Sequence, residues 1–156
     1  MERNVTKVME QTINEQLMLV EVNIKNCPNS LWDEKCGGDP YWEQLYHLLC
    51  GMHIMLRFYD DPAPEFPLQY DAGQLKGYIV TEPHGKDVML KFMEDTKNHL
   101  LNYFKRLDDN MLFAEKDFYG KKLPLLAILI MASSHILYHV GVCDAVLREN
   151  GAKASM

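Results

Sequence analysis

The chain has 156 residues, 47% apolar and 24% charged, a balance expected of one folded domain over residues 1–156 and not of a disordered or low-complexity chain. Asp and Glu number 22 against 16 Lys and Arg, and the net charge of −6 excludes a nucleic-acid partner, which needs a basic face to neutralise phosphates. No uninterrupted apolar run reaches the roughly 20 residues of a membrane span, and the longest, residues 123–134, contains Pro124.

The polar, acidic start of the chain carries no secretory pattern, so a cytoplasmic protein is expected. Cys27, Cys36, Cys50 and Cys143 form no CxxC pair, which excludes a zinc ribbon and a disulfide scaffold and points to reduced thiols.

Val5, Met9, Ile13, Leu17, Val20, Ile24 and Cys27 recur every three or four residues, the stripe of a first helix stopped at Pro28 and Asn29. Asp39 and Pro40 read as the cap and first residue of a second helix, with its stripe at Trp42, Leu45, Leu49, Met52 and Leu56. Residues 60–85 hold Pro62, Pro64, Pro67 and Pro83 with Gly73 and Gly77 among them, a segment too long for an ordinary helix connection. Phe66, Tyr70 and Tyr78 give this segment apolar groups to bury, so it reads as a packed crossover. Strand propensity is confined to Gly77, Tyr78, Ile79 and Val80.

A third stripe follows at Met89, Met93, Thr96, Leu100, Phe104 and Leu107. A fourth, opened by Pro124, runs through Leu125, Ile128, Leu129, Ala132, Ile136, Cys143, Val146 and Leu147. Arg148 and Gly151 close it in the usual C-terminal manner. The predicted fold is all-α, a four-helix bundle with a long Pro/Gly-rich crossover between helices 2 and 3.

Six histidines are present, and His135 and His139 are singled out by spacing. Four residues apart on helix 4, they share one face, and that face lies within the apolar stripe. Two imidazoles facing the interior each need a polar partner, and a divalent ion satisfies both at once. The competing reading is a pair of core histidines bonded to carbonyls. A third ligand should come from helix 2, where periodicity favours His53 over His47 or leaves the choice open. His84 and His99 read as solvated, Asp60-Asp61 as a solvated turn, and Cys50 and Cys143 as small buried hydrophobes. Trp42, Tyr46 and Tyr138 flank the proposed ligands and read as core or pocket aromatics.

The helix 2 segment Pro40-Tyr-Trp-Glu-Gln-Leu-Tyr-His-Leu-Leu resembles the DinB/YfiT-like family, as does the helix 4 segment His135-Ile-Leu-Tyr-His-Val-Gly followed by Ala145-Val-Leu-Arg-Glu-Asn-Gly151. The resemblance follows the helix order of the whole chain and implies a bundle with a three-histidine metal site. Carried over residue by residue, the ligands are His47, His135 and His139. The implied cofactor is a divalent ion, zinc or nickel first, with iron or manganese as further choices. Gly141-Val142 stands where many members have Gly-Gln, which removes one polar group from the expected surroundings of the ion.

An ion held by three neutral histidines keeps its full charge and either acidifies water or holds a thiol deprotonated. The resemblance thus implies a thiol-dependent S-transferase or a hydrolase, with a small-molecule substrate such as a low-molecular-weight thiol. The alternative is a non-catalytic, stress- or damage-associated helical protein with a structural or absent metal. A homodimer is expected from the resemblance and from surplus apolar surface on helices 1 and 2, and no membrane partner is expected.

Overall fold

The computed structural model describes residues 3–67 and 85–156, and these are mostly helical. Four long helices lie among them: α1 (Asn4–Asn26), α2 (Tyr41–Met55), α3 (Lys86–Lys105) and α4 (Leu125–Glu149). Helices α1 and α2 each pack against α3 and α4. The three/four stripes predict the buried faces well: Ile13, Leu17, Val20 and Ile24 of α1 and Met89, Met93 and Leu100 of α3 all lie in the core. Val5, at the start of the first stripe, is exposed.

Helix α2 differs from the others because ten of its fifteen residues are buried. It is covered by α4 on one side and by α3 on another. Each fully buried Leu here contributes about 1.5–3 kcal/mol, so α2 is the apolar centre of the fold. The surplus apolar surface expected on helices 1 and 2 is therefore absent from α2. Exposed large apolar residues lie instead on α1 (Val8, Met18) and α4 (Ile130, Met131, Leu137, Tyr138).

Asp39 does not cap α2. Asp39–Pro40 forms strand β2, paired with β1 (Lys35–Cys36), and Pro40 occupies the position before the helix without a side-chain cap. The first amides of α2 are satisfied by backbone carbonyls, Tyr41 N–H donating to Glu34 O at 2.9 Å and Trp42 N–H to Trp32 O at 3.2 Å. The preceding turn thus does the work expected of the aspartate.

A second hairpin departs from the all-α expectation. Strands β3 (Glu115–Phe118) and β4 (Lys121–Pro124) pair antiparallel around Tyr119 and Gly120, whose φ angles are 52° and 75°. Two successive left-handed residues match the right-handed twist of a tight hairpin, and Asp117 Oδ1 accepts the Gly120 N–H at 3.1 Å. Lys116 and Phe118 are half-buried while Glu115 and Asp117 are exposed.

Most of the expected crossover, residues 68–84, lies outside the described residues, and with it Gly77–Val80 and His84. The Phe66 ring, just before it, meets His53 and Phe92 edge-on at 6.2 and 6.3 Å. Among the described residues, α4 alone is long and apolar enough to cross a membrane, with a mean hydropathy of 1.8. Ser133, Ser134, His135 and His139 interrupt its apolar run, and its buried face packs on α1 and α2.

Candidate metal centre

The site sits where α2 crosses α4. His47 Nε2 lies 3.3 Å from His135 Nε2, and His135 Nε2 lies 3.1 Å from His139 Nε2. One ligand atom from each of the three rings falls within 4.8 Å of the others. Nitrogens about 2.0–2.1 Å from one ion, at right or tetrahedral angles, are about 2.8–3.4 Å apart, so the two spacings of 3.3 and 3.1 Å fit a shared ion. Three imidazole nitrogens facing one another would otherwise set lone pairs together with at most a proton between them.

The orientation of His139 has a definite cause. The Gln44 side-chain N–H donates to Cys36 O at 2.8 Å, which turns the amide oxygen towards α4. That oxygen lies 2.7 Å from His139 Nδ1, so Nδ1 carries the proton and donates it. Nε2 is then left with its lone pair, aimed at the other two rings. Gln44 precedes His47 by three residues and shares its face of α2.

Helix α2 also makes room for His135. A Cβ on Gly51 would stand 2.8 Å from His135 Cε1 and 3.2 Å from Nδ1, so any larger residue would push the ring away from its partners. His135 Nδ1 is buried and has no hydrogen-bond partner among the described residues.

Burial keeps all three rings in the neutral, ligating form. It lowers the His47 pKa, takes His135 down to about 4 with His47 adding to the effect, and takes His139 down to about 3 with His135 and His47 adding theirs. Among the described residues no fourth histidine, cysteine or carboxylate joins the group. On one side the rings border a hollow of about 160 Å³, lined by His47, His135, Ile54, Met55, Phe118 and Tyr119.

His53, favoured by periodicity, lies elsewhere. Its ring stacks between Phe92 and His99 (centroids 5.4 and 4.4 Å), and its Nε2 is 3.1 Å from Thr96 Oγ1, all on α3. His99 is correspondingly not solvated: its Nε2 donates to Leu56 O at 2.7 Å. Asp61 is likewise engaged, accepting from Arg106 and from Phe58 N–H. These groups border a hollow of about 380 Å³, which the three clustered histidines do not line. Trp42 and Tyr46 are core residues, whereas Tyr138 is exposed with its ring edge-on to His139. Cys50 and Cys143 are buried free thiols, as expected.

Gln44 was not singled out by motif reasoning, although its place three residues before His47 was a usable signal. Replacing it with leucine is expected to weaken zinc binding by about 10–100-fold, the usual cost of losing a partner that orients a ligating histidine. Competition against a chromogenic chelator would measure this, and an unchanged affinity would show that Gln44 does not orient the site. The chain matches no protein-family model, no curated protein and no solved structure.

Proposed function

We propose that the chain is a four-helix-bundle metalloprotein in which His47, His135 and His139 hold one divalent first-row ion and leave a position open to a small-molecule substrate. The convergence of three Nε2 atoms, with no fourth histidine, cysteine or carboxylate beside them among the described residues, carries this reading. Catalytic sites of this kind use three protein ligands and keep the remaining position for substrate, whereas structural sites are closed. The packing of α1 and α2 on α3 and α4 supports the bundle, and the sequence resemblance to DinB/YfiT-like proteins supports the ligand set.

When bound, the ion supplies a positive charge and an open position suited to a thiol or a polar leaving group. The chain's own residues do the rest. Gln44 holds the His139 proton on Nδ1, Gly51 admits the His135 ring, and Phe118, Tyr119 and Ile54 wall a small apolar hollow beside the ligands. Apolar walls exclude water and strengthen the charge interactions within. Thiol transfer fits this arrangement better than hydrolysis, because among the described residues no carboxylate stands with the three rings to serve as a base for water.

Elemental analysis of tag-free protein incubated with zinc, cobalt or nickel is expected to give one ion per chain. Adding a small thiol to the cobalt form is expected to produce sulfur-to-cobalt charge-transfer absorption. A chain that takes up none of these ions would overturn the proposal, and a cobalt spectrum indifferent to thiols would overturn the open position.

A further inference from the structure

Next to the hollow beside the histidines lies a second, of about 300 Å³, which shares Ile54, Phe118 and Tyr119 with it and is lined beyond them by Arg57, Phe58, Tyr59, Lys116 and Asp117. Two cations stand together at that far end, in a chain whose net charge is −6.

Neither cation has a carboxylate partner among the described residues. Lys116 Nζ donates to two backbone carbonyls at the end of α2, Met55 O and Arg57 O, and keeps a third N–H. Arg57 Nη1 donates to Asp61 O and Pro62 O, both at 3.2 Å. Carbonyls satisfy hydrogen bonds but do not neutralise charge, and a half-buried ammonium ordinarily has a counter-ion. Burial and the neighbouring Arg57 lower the Lys116 pKa, as expected of a cation without one, and Asp61 offsets this only in part.

Asp61 is committed to Arg106, and Asp117, exposed on the hairpin, also borders the cleft. Glu115 also stands with Arg57 and Lys116 around an adjoining hollow, so the two cations have little charge to spare, which favours a carboxylate over a phosphate dianion. Along β3, Lys116 and Phe118 share a face and stand about 6.6–6.8 Å apart, so the cation lies one pleat repeat beyond the ring that walls the metal-side hollow.

We infer that the cleft selects substrates with a metal-seeking group at one end and a carboxylate at the other, joined by an apolar body, with Lys116 and Arg57 receiving the carboxylate. This rests on the three-histidine reading above and adds the substrate class to it. Lys116 is a specificity-determining residue, not a ligand of the ion.

The test compares mercaptohexanoate with mercaptohexanol on cobalt-loaded protein, by calorimetry and by the sulfur-to-cobalt absorption. The carboxylate is expected to bind at least about ten-fold tighter. Lys116→Gln keeps donors for the two carbonyls and removes the charge, so cobalt content should be unchanged and the preference lost; Lys116→Arg should retain it. If Lys116→Gln does not fold, the wild-type preference decides the matter by its salt dependence. It should shrink as ionic strength rises. Equal affinity for the two thiols in the wild type, a preference surviving in folded Lys116→Gln, or one indifferent to salt would overturn this inference while leaving the metal site standing. A wild type that binds no cobalt would overturn both.

Discussion

Replacing His139 with alanine is expected to reduce affinity for zinc, cobalt and nickel by at least about 100-fold, while the far-ultraviolet circular dichroism stays nearly unchanged. Loss of one of three ligands exceeds the 10–100-fold typical of losing a residue behind a ligand. The helix itself should persist, because alanine is the better helix former and Ile136, Val140 and Cys143 beside it remain buried. What the metal-free fold loses is the 2.7 Å bond that leaves Gln44 Oε1 without its donor, a cost of about 1–3 kcal/mol. His53→Ala provides the control. Its ring lies against Phe92, Thr96 and His99, so its removal should lower the melting temperature and leave metal content intact. Metal lost from His53→Ala and kept in His47→Ala would mean that the three clustered rings are not the ligand set.

A second large effect is expected in acid. Burial holds the pKa of His53 down at about 4, with His99 adding to the effect, just as it holds His135 and His139 down at about 4 and about 3. In the unfolded chain these rings take a proton near pH 6.5. Below that pH the unfolded state binds protons that the folded state refuses, so stability falls as pH falls and is fully present only above about 6.5. Each ring contributes about 1.4 kcal/mol per pH unit at most, and the three together on the order of 2–4 kcal/mol per unit after allowance for residual solvent. Against a total stability of about 5–15 kcal/mol, metal-free protein should unfold between about pH 4 and 5.5. Zinc should move the midpoint lower by competing with protons for His135 and His139. His53→Phe, which keeps the stack on Phe92 and removes the ionisation, should lower it as well. Circular dichroism followed down the pH scale measures both, and a fold unchanged to pH 3.5 would contradict the assignment of these rings as neutral and buried.

Three stripes were legible because α1, α3 and α4 each bury one side, which gives apolar spacing a direction. Helix α2 is buried nearly all round, and there periodicity loses its direction. His47 faces α4 and His53 faces α3, yet both sit among apolar neighbours, so only the resemblance to a known pattern picked out His47. The β3–β4 hairpin escaped notice for a different reason. Phe118 and Leu123 are the only large apolar residues of its two strands, and Lys116 fills an inward position with a charged side chain, so no apolar alternation exists to be read. Tyr119-Gly120 was its one legible mark. The Asp39 cap failed because the chain pairs with itself one residue before the helix, a tertiary choice that local preference does not anticipate.

His47 and His135 are 88 residues apart along the chain, and α4 docks directly on α2. An ion shared between them would therefore behave as a reversible cross-link closing a long loop. In the chain-entropy account of covalent cross-links, a loop of this length is worth about 4–5 kcal/mol against the unfolded ensemble. Such a clasp cannot form until α4 has settled against α2, so it leaves the early collapse of the chain untouched. Its effect falls on the rate of unfolding, and a chelator would shorten the lifetime of the folded chain without slowing its formation.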